Sequence, residues 1–161
     1  MALEHRLRDE RGDRGAAHAL GALVHQEHSV GIAIEHGATN RLLSNMVMGG
    51  KTGILLFIRD SNGPASRDYV VDGNTIGGVT RGLVLRRTAH VRVRGNTFDG
   101  VDEGLVADST GADAQVTGNL FLRAQQYFIV APALTAGSNY WATATEAEAA
   151  ARVKGAVVVQ P

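Results

Sequence analysis

Short apolar alternations recur along this chain, each interrupted by a small polar corner. One unit runs Val91, Val93, then Gly95-Asn96, then Phe98, then Leu105 and Ala107. Its neighbours repeat the order with Ile76 and Phe121 at the middle apolar position, and with Leu83, Leu85 and Phe128, Val130 in the closing stretch. Alternation with period two is the pattern of a half-buried strand, and Gly-Asn suits a tight turn with positive φ. The asparagines Asn45, Asn74, Asn96, Asn119 and Asn139 mark the unit, at intervals of 29, 22, 23 and 20 residues. Eight residues after each of the first four begins an apolar block, opening at Gly53, Gly82, Gly104 and Tyr127, so Tyr127 stands where the other units have glycine.

A repeat of this length, with two or three short strands per unit, predicts a solenoid in which neighbouring turns jointly bury a core. The fold class is all-β, a parallel β-helix of about five coils. Coils stack about 4.8 Å apart, so repeated asparagines are expected to form an internal hydrogen-bonded ladder. A leucine-rich repeat is the rival, satisfied in form by Val91 to Phe98. It is disfavoured because each unit continues as a Gly-led β-branched run, and because leucine is scarce at the repeat positions.

The coils are placed at 17–141. Residues 1–16 read as a charged N-terminal arm or cap, and 142–161 as a C-terminal cap of one helix and one strand. In that cap Thr145 and Glu148 form a capping box ahead of Ala149 to Arg152, Gly155 is a helix stop, and Ala156 to Val159 return as a strand. Gly31 to Ile34 match the later apolar blocks as an imperfect first coil. The long 29-residue interval holds an extra segment, Ser61 to Arg67, read as a projecting loop. In the asparagine register three opposite charges become neighbours: Asp72 with Arg94, Arg81 with Glu103, and Arg86 with Asp108.

Composition narrows the function classes. The 161 residues suit one domain, and 16 basic residues cancel 16 acidic ones, so no global field recruits nucleic acid or an anionic membrane. No cysteine is present, which removes disulfides and thiolate metal sites. The charged start lacks the apolar core of a signal peptide, and no apolar stretch is long enough to span a bilayer. The chain is expected to be soluble, without nucleic-acid or membrane partners, and able to self-associate through its solenoid ends.

Candidate chemistry concentrates in Asp99, Asp102, Glu103, Asp108 and Asp113. Asp99 and Asp102 are the catalytic candidates, because Glu103 and Asp108 already have arginine neighbours. Paired carboxylates can act as general acid and base on a glycosidic bond, or supply hard oxygen ligands to Ca²⁺. A solvated, salt-bridged face is the competing reading. Arg123 is the candidate for an acidic group on a glycan, and Tyr127 and Trp141 for stacking on sugar rings. For the two aromatics the plainer account is a hydrophobic plug over the last coil. His25 and His28, with His36, are a loose metal-ligand spacing that completes no metalloenzyme pattern, so no metal site is assigned.

The stretches Asp72-Gly-Asn74-Thr-Ile-Gly-Gly, Arg94-Gly-Asn96-Thr-Phe, Thr117-Gly-Asn119-Leu-Phe and Ser138-Asn-Tyr-Trp141 carry a resemblance. From about Gly31 to Trp141 the chain resembles right-handed parallel β-helix proteins of the pectate-lyase-like superfamily. It is most similar to the NosD-like group with short carbohydrate-binding and sugar-hydrolase repeats. The resemblance implies a right-handed β-helix, a polysaccharide or glycan partner, a periplasmic or extracellular setting, and kinship with lyases, hydrolases or epimerases. It carries no catalytic set with it: neither the arginine base flanked by calcium-binding aspartates nor the paired aspartates of polygalacturonases is present. A non-catalytic scaffold or adhesion module is the alternative function.

Overall fold

A computed structural model describes residues 6–7, 19–20, 24–25, 29–59, 66–108, 113–142 and 145–160. Three two-residue strands, β1 (Arg6–Leu7), β2 (Ala19–Leu20) and β3 (Val24–His25), precede five fuller turns. The first turn is β4 (Val30–Glu35), β5 (Arg41–Leu43) and β6 (Met46–Met48). The second is β7 (Thr52–Phe57), β8 (Ser66–Arg67), β9 (Val70–Asp72) and β10 (Thr75–Gly77), and the third β11 (Arg81–Arg86), β12 (Thr88–Ala89), β13 (Arg92–Arg94) and β14 (Thr97–Asp99). The fourth is β15 (Val101–Ala107), β16 (Gln115–Thr117) and β17 (Leu120–Phe121). In the fifth, β18 (Ala124–Gly137) runs without a break through two columns before β19 (Tyr140–Trp141). Helix α1 (Glu146–Ala151) then leads to β20 (Val153–Gln160), which lies along β18 as the last rung.

Every pairing is parallel, and the strands stack in three long columns, with β8 and β12 forming a short fourth between the first and second. This is the expected β-solenoid, and no helix occurs within a described repeat unit, which removes the leucine-rich alternative. Register follows the asparagine alignment. Ile32, Ile54, Leu83, Leu105 and Ile129 stack in the first column. Leu42, Val71, Val93, Val116 and Ala136 stack in the second. Val47, Ile76, Phe98, Phe121 and Trp141 stack in the third. All but Trp141 are buried, because a period-two strand turns one residue type inward at each rung. In the third column Phe121 stacks between Phe98 at 4.8 Å and Trp141 at 4.9 Å.

The asparagines form the ladder. Asn45 gives both its backbone N–H and its Nδ2 to Asn74 Oδ1, at 2.9 and 2.8 Å. The same pair of bonds links Asn74 to Asn96, Asn96 to Asn119 and Asn119 to Asn139. The residue before each asparagine adopts positive φ: Ser44, Gly73, Gly95, Gly118 and Ser138. That backbone turns the chain from the second column to the third.

Two details of register differ from the expectation. The glycine column Gly31, Gly53, Gly82, Gly104 ends in Phe128 rather than Tyr127. One extra residue enters between Ala124 and Tyr127, setting Tyr127 beside Glu103. Tyr127 therefore lies on the outside, where Lys154 Nζ stands 5.6 Å from its ring, and Phe128 turns into the core. Gly155 is not the helix stop, because Arg152 takes that position and Gly155 lies inside β20. There Ala131 and Pro132 of β18 oppose it as a bulge, and a Cβ would collide with the Ala131 carbonyl.

Of the three charge pairs, Asp72 and Arg94 close to 2.8 Å. Arg81 and Glu103 are register partners without closing into an ion pair. Asp108 receives the backbone N–H of Arg87, at 3.1 and 3.0 Å, rather than Arg86. The inserted segment is described only at Ser66 and Arg67, which form a rung of the solenoid with Thr88 and Ala89; the rest of that loop lies outside the described residues. So does the side chain of His25 and all of His28. Arg6 and Leu7, read as part of a charged arm, stand in register with Ala33 and Ile34.

The capping box is present in full: Thr145 Oγ1 accepts from the Glu148 backbone N–H at 3.2 Å, and Glu148 Oε2 accepts from the Thr145 N–H at 3.0 Å. Thr145→Ala is expected to cost about 1 kcal/mol and to fray α1 locally. Hydrogen exchange should show faster exchange in α1 with the ladder strands unchanged.

Candidate functional site

Between its columns the chain turns at corners, many of which are made by a residue with positive φ. At two of them glycine supplies most of it: Gly73, Gly95 and Gly118 before the ladder, and Gly78 and Gly100 leading into the first column. The third corner, leading into the second column, is built from Thr39 (φ 57), Asp68 (φ 59) and His90 (φ 52). A side chain in this conformation costs of order 1 kcal/mol, and such residues cluster at functional sites. Asp and His tolerate it better than most.

Along that corner Asp68, His90 and Asp113 stack on successive rungs. His90 Nδ1 lies 3.3 Å from Asp68 Oδ1, and Nε2 lies 3.5 Å from Asp113 Oδ2. Asp113 also accepts the His90 backbone N–H at 2.8 Å, which fixes the upper carboxylate to the rung below it. Beside this row runs a second one, Val70, Arg92 and Gln115, paired in register. The two rows line a groove of about 290 Å³. Its base is Tyr69, wholly buried, whose hydroxyl lies among Ser66, Asn40 and Gly37; burial pushes its pKa up, and the neighbouring polar groups offset part of that.

The residues singled out in the sequence fall elsewhere. Asp99 and Arg123 do meet, as a bidentate pair with Nε–Oδ1 and Nη2–Oδ2 both at 2.6 Å, outside the third column. The Arg123 hydrogen bond holds the Asp99 carboxyl below the usual carboxylate range. Asp99 is therefore ionised at neutral pH and unsuited to donating a proton. Asp102 stands on the next strand, half-buried, its N–H bonded to Val79 O at 3.3 Å. Trp141 turns inward onto Phe121, and its neighbour Tyr140 turns out, 61% exposed. Tyr127 lies beneath Lys154.

The acidic set thus disperses to separate partners, and Asp113 alone reaches the groove. His90 and Asp68 were not singled out, although the signal was there. Asp68, His90 and Asp113 each precede a ladder asparagine by six residues. His36 is exposed on a separate corner, 4.0 Å from Glu35. Among the described residues no helix is long and apolar enough to cross a membrane.

A family model described as "periplasmic copper-binding protein (NosD)" matches residues 18–155. No curated protein and no solved structure matches the chain.

Proposed function

The chain belongs to the NosD family, and on that premise we propose that it is a binding solenoid that works without turnover and holds a glycan in the Asp68–His90–Asp113 groove. One observation carries this reading. At the corner lining this groove, Asp68 and His90 stand at positive φ, where glycine would be cheaper in strain. Carboxylates accept hydrogen bonds from sugar hydroxyls, while Arg92 and Gln115 present fixed planar donors alongside them. Rows repeating every rung, about 4.8 Å, suit an extended polymer lying along the solenoid axis.

The absence of turnover has its own support. Glycosidases place the bond to be cut between an acid and a base or nucleophile. Here the imidazole of His90 fills the space between the two carboxylates. The other candidate, Asp99, is committed to Arg123.

Calorimetric titration with neutral and acidic oligosaccharides tests the reading. Asp113→Ala/Arg92→Ala is expected to weaken binding roughly tenfold or more, with Asp99→Ala/Asp102→Ala unchanged and no product formed by any variant. Loss confined to the Asp99/Asp102 variant would move the ligand to that edge. No binding of any glycan by the intact chain would leave the scaffold reading in its place.

Copper, which the family description names, requires donors of the right kind. The chain has no cysteine, and among the described residues no group of three His, Cys, Asp or Glu is arranged to hold a metal ion. The described residues therefore do not fit a site of those donors, for copper or for Ca²⁺.

A further inference from the structure

We propose that His90 is the positioning residue of the groove: as its imidazolium it clamps Asp68 on one side and Asp113 on the other, and glycan binding tightens when that proton is taken up. The effect on binding rests on the glycan reading, whereas the clamp itself does not.

The ring reaches both neighbouring turns at once. Nδ1 stands 3.3 Å from Asp68 Oδ1 on the turn below, and Nε2 stands 3.5 Å from Asp113 Oδ2 on the turn above. Neutral imidazole carries a proton on one nitrogen and a lone pair on the other, while the imidazolium carries a proton on both. Only the charged form therefore presents a proton to each carboxylate. In the neutral form one carboxylate oxygen faces a lone pair, and the two anions lose the cation between them.

Backbone contacts keep the three residues in line. The Asp68 N–H gives to Ala89 O at 3.1 Å, and the His90 N–H gives to Asp113 Oδ2 at 2.8 Å. Asp113 thus uses Oδ2 for both contacts with His90, which leaves Oδ1 to a sugar hydroxyl. The other charged groups around the ring are Arg67, whose Nε stands 3.6 Å from Asp68 Oδ2, and Arg92, which lines the same groove. Both guanidiniums keep their charge at any physiological pH. Histidine ordinarily changes charge between about pH 5 and 8, and among the described residues His90 is the only histidine lining the groove. Its protonation orders the accepting carboxylates, and its deprotonation frees them and leaves the groove one charge more negative. The three side chains are 43–68% exposed, so solvent screens the clamp and the effect is modest.

The test uses the full chain. Carboxyl carbon signals of Asp68 and Asp113 are followed by NMR without glycan, beside the His90 ring signals, from about pH 5.5 to 8, above the ordinary range of an aspartate. Both carboxyl signals are expected to move together with the His90 ring. In His90→Asn that movement should be gone, and the variant should melt with the parent near pH 8, since asparagine tolerates left-handed backbone. His36 remains in the variant, so any movement that survives belongs to other groups. Calorimetry with the same neutral and acidic oligosaccharides should find the parent roughly threefold or more tighter near pH 5.5 than near pH 8, and His90→Asn insensitive to pH. Carboxyl signals that ignore the His90 titration, or a pH dependence of binding undiminished in His90→Asn, would overturn the assignment. If no glycan binds at any pH, the glycan reading falls, and the carboxyl signals still decide the clamp.

Discussion

Asn96→Ala is expected to lower stability by about 3–5 kcal/mol, and the melting temperature by roughly 10 °C or more. Asn96 is wholly buried and sits mid-ladder. Its Oδ1 accepts the Asn74 backbone N–H at 2.9 Å and Asn74 Nδ2 at 2.8 Å. Its own Nδ2 gives to Val71 O, Arg94 O and Asn119 Oδ1, each at 2.9 Å. Truncation to a methyl takes the acceptor from the Asn74 backbone N–H and the donor from the Val71 carbonyl in a place water reaches poorly, at about 1–3 kcal/mol for each orphaned group, while Asn74 Nδ2 keeps Leu42 O and Asp72 O. Asn139→Ala, at the part-buried end of the ladder, should cost less than half as much, because solvent can replace what is lost. Denaturant titration of both variants reads the difference. A mid-ladder loss no greater than the terminal one would mean that the ladder is decoration on a core held by its apolar columns.

The second large effect is expected at Gly104. A Cβ there would lie 2.5 Å from the Phe128 carbonyl oxygen of the next rung and 2.7 Å from Phe121 Cε1. Neither can retreat: the carbonyl belongs to the inter-rung ladder, and Phe121 is stacked between Phe98 and Trp141. Gly104→Ala should therefore cost about 3 kcal/mol or more, at or beyond the upper end of ordinary overpacking. Gly118 is the control. It has φ +64, yet nothing lies within 4 Å of its would-be Cβ. Gly118→Ala carries only conformational strain, about 1–2 kcal/mol. Comparable losses in the two variants would show that strain rather than inter-rung contact governs the glycine column.

These two expectations mark the repeat as apparatus for folding. Buried carboxamides fix register, and stacked glycines let coils approach closely enough for aromatic rings to fill the axis. The groove gathers Asp68 and His90, both at positive φ, into one row with Asp113, where side chains of opposite kind meet across successive rungs. Functional candidates therefore fall where the repeat pattern is kept in backbone but changed in side chain.

What the sequence determined by itself was whatever repeats. Period-two alternation set which residues turn inward, and the spacing of Asn45 to Asn139 set the register, because stacked coils place equivalent residues on top of one another. Even the groove was legible in that register, since Asp68, His90 and Asp113 are each six residues ahead of a ladder asparagine. It was passed over because the three differ in type and so do not look like a repeat. Tertiary structure alone decided the rest. Whether register neighbours touch depends on side-chain reach: Asp72 meets Arg94, while Asp108 takes a backbone N–H. Pairing of Asp99 with Arg123 depends on how the third column turns into the first. An extra residue in β18 exchanged the places of Tyr127 and Phe128. A one-residue slip reverses which side chain faces the core, and only the hydrogen bonding of rung to rung records where such a slip occurs.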